Sequence, residues 1–517
     1  MNRKTGLVGA LIVFFVVLGG YLVLTVERTD KPPPAAVELA HGQAYDLVVG
    51  FVEKEIQGGK YRMLAYNGSI PGPLLRVPQG AEVSLNFKNN GDLPSTLHSH
   101  GVRLDNPFDG VPGLTQEEVG PGGGSFVYRV KFPDPGMYWY HPHVREDYAQ
   151  ELGLYGNYLV VPAEPDYWAP VDREIALFLD DILLAGDRIE LSEKKVDHAL
   201  MGRFGNVMLI NGEADYLLAA RQGEVVRFYL TNAANTRPFN FAIAGHRLKL
   251  VGGDGGGYER DEWRDAVLVA PSERVIVEVL FDRPGTFALE NRTPAKTTRL
   301  GAVTAAAGPV PSSRTENFAR LKTRSAVSRS MDYLRPYLVN PPDKRLRLSI
   351  ELKDGMAAMP GMAHGGHAMP AGPDSMGPMT MGPGPDGIEW EDPDPEMNRR
   401  ASPDSVVWKI IDEESGRENM DIDWRLKRGE PVVVRIFNDP ASAHPMQHPI
   451  HFHGQRFLVA ARDGVRESNL VWKDTVLVPA GRTVDIVLDT ANPGVWMAHC
   501  HISEHLEAAM MFSFRVE

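Results

Sequence analysis

The chain has 517 residues, a single cysteine and a formal net charge of −13. The acidic balance argues against a nucleic-acid binder, whose footprint is basic, and one cysteine excludes a disulfide scaffold or a Cys-rich zinc module. With 51 glycines and 40 prolines, the sequence favours many short strands and turns over long helices.

At the N-terminus, Met1-Asn-Arg-Lys4 is a short basic start before an apolar run from Gly6 to Val26. As a helix that run spans about 30 Å, which is long for the apolar region of a cleaved signal. Residues 1–27 therefore read as a signal anchor in preference to a signal peptide. Arg3 and Lys4 stay on the cytoplasmic side. The body is expected to be exported, periplasmic or otherwise extracytoplasmic, touching the membrane only through residues 6–26.

Three copies of one plan follow. Each has a turn glycine opening a strand: Gly80 before Ala81–Phe87, Gly223 before Glu224–Leu230, and Gly429 before Pro431–Phe437. Each closes on a Pro-Gly turn and a short strand, at Pro135-Gly136, Pro284-Gly285 and Pro493-Gly494. The repeats predict an all-β protein of three tandem Greek-key sandwiches, at 40–163, 170–310 and 340–517. Between 355 and 386 lies a Gly- and Pro-rich segment with seven of the 19 methionines and no apolar period. It reads as an insertion in the third repeat.

Ten of the 16 histidines fall in four clusters: His98-Ser-His100, His141-Pro-His143, His448-Pro-Ile-His451-Phe-His453, and His499-Cys-His501 with His505. Side chains at i and i+2 of a strand share a face, so each His-x-His is a two-pronged clamp. When the repeats are aligned on Gly101, Gly245 and Gly454, the second carries Ala242 and Ala244 where the first has its histidine pair. Aligned on the Pro-Gly turns, it carries Glu290-Asn-Arg292 opposite the other two pairs. The second repeat has the plan without the metal ligands. Eight paired histidines, four from each outer repeat, can therefore meet at a shared interface. Imidazoles alone suit copper, iron, nickel or zinc, but Cys500 with His448, His505 and a distant Met510 is the ligand set of a blue-copper electron-transfer site. Cys500 would hold one copper while its chain neighbours His499 and His501 bind the cluster.

The four motifs in combination closely resemble those of the multicopper oxidases, over nearly the whole exported chain. The resemblance implies three cupredoxin-like domains and four copper ions: one type 1, one type 2 and two type 3. It implies His448, Cys500, His505 and Met510 as type-1 ligands, and His98 and His451 as type-2 ligands. His100, His141, His143, His453, His499 and His501 match the type-3 pair. Four one-electron oxidations would be coupled to reduction of dioxygen to water. Asp109 matches the family's acidic residue near the type-2 copper and, with Glu507, is a candidate proton relay.

The motifs leave the electron donor open between Cu(I) and a phenol or aromatic amine. The soft thioethers of Met356, Met359, Met362 and Met369, with His364 and His367 among them, suit Cu(I). Met446 stands where copper-efflux oxidases place a substrate-copper methionine, and His444 where they place an aspartate. Cuprous oxidation by a monomer is the favoured expectation, a laccase the alternative. A non-catalytic copper-storage protein would need the Met/His segment but not eight cluster histidines. The remaining histidines read as structural: His246 as a strand residue, His41 and His198 as solvated loop residues.

Overall fold

The structure is a computed structural model that describes residues 36–192, 195–308, 310, 314–353 and 384–517. The apolar run 6–26 lies outside the described residues, as does the Met-rich segment apart from 384–386. With it lie Met356, Met359, Met362, His364, His367 and Met369. Among the described residues no helix is long and apolar enough to cross a membrane.

The chain folds as three consecutive two-sheet sandwiches. Strands within 36–161 form a four-stranded and a five-stranded sheet, and those within 173–306 and 344–516 each form a six-stranded and a five-stranded sheet, with a further two-stranded ribbon of Leu184–Ala185 and Arg188–Ile189 in the middle unit. Parallel pairings such as Ala44–Ile56 with Glu82–Asn89, Arg173–Ile182 with Glu224–Asn232, and Lys344–Leu352 with Val432–Asn438 recur in each unit. Each repeat's turn-glycine strand is thus laid beside its first long strand. Apolar residues alternate inward to fill a core in each unit, such as Leu47, Leu85 and Tyr128 in the first and Trp408, Phe452 and Trp496 in the third.

The three sandwiches share one register. In the first, His98 lies opposite His141. In the second, Ala242 lies opposite Glu290. In the third, His451 lies opposite His499. Each first-strand residue is followed three positions later by Gly101, Gly245 or Gly454, with φ of 79°, 71° and 62°. Only glycine adopts this left-handed turn without strain. The turn sets where the side chains of each inner strand point.

Two histidines differ from expectation. His198 is 3% exposed, not solvated, because its Nδ1 donates to Asp197, which also binds the fully buried Arg203. His246 sits in the turn after the strand Phe239–Ile243 and not in a strand; its ring rests edge-on against Phe287 at 4.3 Å.

Candidate metal centre

The short strands His98–His100 and Gly136–His141 of the first sandwich face His448–Phe452 and Gly494–Cys500 of the third. Their histidines interleave across the seam. Ring centroids of His98 and His453 are 4.1 Å apart, those of His100 and His451 3.7 Å, and those of His143 and His499 5.3 Å. All eight cluster imidazoles are buried. Their ligand atoms gather in groups within 4.8 Å, such as His98 with His451 and His453, and His143 with His453 and His499.

The hydrogen bonds around these rings decide which nitrogen is free. A carbonyl only accepts, so a ring nitrogen bonded to one must carry the proton and leave the other with a lone pair. Nδ1 of His98 donates to the Asp109 carbonyl, that of His141 to Pro142 and that of His451 to Asp474, each at 2.8 Å. His499 Nδ1 donates to the Cys500 carbonyl at 2.9 Å. His98, His141, His143 and His451 each leave a buried Nε2 without a hydrogen-bond partner, and in His501 both nitrogens are unpartnered. His100 is reversed: Nε2 contacts Asp474 Oδ1 and Thr475 Oγ1 at 3.0 Å, and Nδ1 is the orphan. Nε2 atoms of His453 and His499 point at each other across 3.0 Å.

Burial pushes the imidazoles of His100, His141, His143, His451, His453 and His501 well below their usual range, and repulsion among neighbouring rings adds to the shift. The same burial brings His499 down to about 4. Their protonated forms are disfavoured, so at neutral pH these rings offer lone pairs. An unpaired buried polar atom costs about 1–3 kcal/mol, and this seam holds several. The donors fit bound metal, which would give each orphaned nitrogen its partner.

The second site is a triangle. Cys500 Sγ lies 3.5 Å from His448 Nδ1 and 3.7 Å from His505 Nδ1, and the two nitrogens are 3.3 Å apart. Two nitrogens and a sulfur at these separations close on one first-row ion. Met510 is fully buried and tied to the site through its backbone: Cys500 N–H donates to its carbonyl at 3.1 Å, and its own N–H donates to His505 at 2.9 Å. Burial raises the Cys500 thiol and lowers His448 to about 3. With no ion present both ligands are neutral. Strand alternation turns Cys500 into the third core while His499 and His501 face the seam.

Asp109 is 1% exposed and bridges two rings. Its carbonyl holds His98, and its Oδ2 accepts from His453 Nδ1 at 2.9 Å. Glu507, at the end of the short helix Ser503–Glu507, is exposed. Among the described residues, the carboxylates that approach the cluster's ring nitrogens, besides Asp109, are Glu146, at 3.3 Å from His143 Nδ1, and Asp474. Motif reading missed both, although Glu146 stands three residues after His143, at the start of the short helix Glu146–Ala149. Asp474 is clamped by Arg274 of the middle sandwich, which donates to Oδ1 at 2.8 Å and also to Oδ2. A Cβ on Gly101 would stand 2.2 Å from Asp474 Oδ2 and 2.8 Å from an Arg274 nitrogen. All three sandwiches therefore meet at His100.

His444 and Met446 lie just ahead of His448. The His444 ring centroid is 6.5 Å from the Trp408 indole, whereas Met446 is fully buried in the third core.

Family models described as multicopper oxidase match residues 49–165, 186–308 and 390–517. The chain is 28% identical to a multicopper oxidase of Mycobacterium tuberculosis, covering 94% of this chain and 86% of that one. It is 26% identical to a copper resistance protein A homologue of Pseudomonas syringae pv. tomato, covering 94% of each. Among solved structures, a metallo-oxidase from Campylobacter jejuni superposes with a TM-score of 0.69 at 21% identity, covering 94% of this chain and 96% of that one. The chain belongs to the multicopper oxidase family.

Proposed function

We propose that this oxidase takes electrons singly from Cu(I) at a type-1 site formed by His448, Cys500, His505 and Met510, and uses four of them to reduce dioxygen to water at the eight-histidine seam. In this reading His98 and His451 hold the type-2 ion, and His100, His141, His143, His453, His499 and His501 the type-3 pair. The domains are 40–163, 170–310 and 340–517. The protein works outside the cytoplasm as a monomer anchored by residues 6–26.

The observation that carries the reading is the placement of Cys500, one of three triangle donors, between His499 and His501, which face the seam. Bound copper supplies one-electron chemistry between its cuprous and cupric states. The protein does the rest. Backbone carbonyls fix the ring tautomers, burial keeps the rings unprotonated, and apolar packing around Trp408 and Trp496 excludes water from the triangle. Asp109, hydrogen-bonded to His453, stands where a proton must arrive when oxygen is reduced.

Cu(I) as donor is supported by the Met-rich segment. The test is oxygen uptake by the copper-loaded full chain with Cu(I) and with a methoxyphenol, before and after deletion of 355–386. Cuprous turnover lost on deletion, with phenol turnover kept, is the expected result. Efficient phenol turnover indifferent to the deletion makes the protein a laccase.

A further inference from the structure

Behind the histidine seam lies a file of packed aromatic rings. Trp139 is fully buried and stacked on His141, with ring centroids 4.2 Å apart, and lies 5.3 Å from His100 and 5.5 Å from His501. It also packs in one cluster with Tyr155, Phe178 and Ala233. Tyr155 and Phe178 are 4.8 Å apart, and Phe178 lines a cavity of about 150 Å³ between the first and middle sandwiches. The rings thus run from a cluster histidine to that cavity.

What each ring can do depends on where its proton can go. An aromatic side chain that loses an electron becomes a strong acid, and its neutral radical lasts only where a base takes the proton. Trp139 Nε1 is buried with no hydrogen-bond partner. The Tyr140 hydroxyl donates to the Pro73 carbonyl at 2.7 Å, and a carbonyl is too weak a base to keep the proton. The Tyr66 hydroxyl has no partner. Tyr155 differs: its hydroxyl donates to Asp180 Oδ2 at 2.7 Å, and Asp180 Oδ1 is held by the Asp181 N–H at 2.8 Å. Tyr155 is 1% exposed and Asp180 8%. Burial pushes the Asp180 carboxyl up to about 8 and the Tyr155 phenol well above its usual range. A phenolate is therefore disfavoured, and electron and proton must leave Tyr155 together.

We propose that Tyr155 is a redox-active residue, a reserve electron donor to the histidine seam, with Asp180 taking its proton and Trp139 as the ring between. The proposal rests on the oxidase reading above and adds a residue to its electron path. Reduction of one O2 to two waters takes four electrons and four protons, and the type-1 site passes the electrons singly. When that site has none to give, Tyr155 supplies the missing one. Its O–H bond breaks, the electron passes through Trp139 to the seam, and the proton goes to the ionised Asp180 carboxylate. A neutral phenoxyl radical is left beside a carboxylic acid. An outside one-electron reductant of the phenol class then returns the electron, and Asp180 returns the proton.

The test needs a full chain that can deliver every electron but the last. Copper-loaded Cys500→Ser is such a chain: in the proposed reading its seam holds one type-2 and two type-3 ions, and its type-1 site holds none. It is reduced without air, mixed with oxygen at about pH 8.5, where Asp180 is mostly ionised, and frozen within milliseconds for electron paramagnetic resonance. An organic radical is expected, with a spectrum that narrows when the chain is made with ring-deuterated tyrosine. Adding Tyr155→Phe should abolish it, and adding Asp180→Asn should lower its yield by about tenfold or more. Copper content and the type-2 signal before reduction report that each variant's seam has assembled. Should one variant fail to load, the other decides together with the isotope label. No radical, a radical untouched by the label, or a yield unchanged by Tyr155→Phe overturns the proposal. A reduced chain whose copper signals never return in oxygen refutes the oxidase reading, and the proposal with it.

Discussion

Arg274→Met strips a buried charge partner from the metal seam. Arg274 is fully buried and donates to four acceptors: the Met137 carbonyl at 3.1 Å, the Ser272 carbonyl at 2.7 Å, and both oxygens of Asp474. Two unit charges roughly 3 Å apart at an effective dielectric of about 20 attract by roughly 5–6 kcal/mol before desolvation. Removing the guanidinium leaves a carboxylate of about 2% exposure with no counter-charge, and losses of about 3–5 kcal/mol are typical of such broken pairs. The copper-free protein should lose that amount in urea unfolding. Arg274→Met with Asp474→Asn should be less damaged than Arg274→Met alone, because the orphaned charge is gone. Asp474 also contacts His100 through Oδ1 and His451 through its carbonyl, so the reconstituted variant should show a weakened type-2 signal in electron paramagnetic resonance. A cost under about 1 kcal/mol, with additive effects in the double variant, would refute the assignment of Arg274 as the charge partner that holds this corner.

Gly101→Ala should abolish cluster loading, since its Cβ would enter the Asp474–Arg274 pair from a residue at φ 79°; copper per chain and the blue band, read together, check this, the band surviving while the count falls. Asp109→Asn keeps the shape but weakens the hold on His453, and steady-state oxygen reduction should fall by about 10- to 100-fold while single-turnover bleaching of the blue band by substrate continues. Cys500→Ser should remove the blue band and substrate-driven oxygen uptake and leave the type-2 signal. For the copper-free protein the sign of pH dependence follows from the lowered histidines. Above about pH 6.5 the rings are neutral whether folded or unfolded and contribute nothing. As pH falls below it the unfolded chain takes protons that His499 refuses until about 4 and His448 until about 3. Each then costs about 1.4 kcal/mol per pH unit. Urea midpoints of the apoprotein should fall steeply from pH 6.5 to 4, and a flat profile would contradict the burial of these rings.

The histidine clusters were legible because strand alternation and a turn glycine are local properties. A pair two residues apart must share a face, and Gly101, Gly245 and Gly454 keep the three repeats in one register. The silence of the middle sandwich was legible the same way, as Ala242 and Glu290 fill the places of His98 and His141. What one sequence did not expose is whatever acts across the seams. Arg274 and Asp474 meet from 200 positions apart, and nothing beside either residue marks it. Tyr155 looks like one core aromatic among several until its hydroxyl is seen to meet Asp180. His198 looked solvated because its neighbours are polar, yet those neighbours are the partners that bury it.

The interleaving of His98–His143 with His448–His501 also sets a schedule for synthesis. More than 300 residues separate the two halves, so a growing chain carries its first four histidines for most of its elongation without the facing four. Nothing capable of activating oxygen can assemble until the third sandwich has closed on the first. A chain cut short anywhere before residue 499 is left with no Cys500 and an incomplete seam. The complete seam is thereby available only to a finished chain.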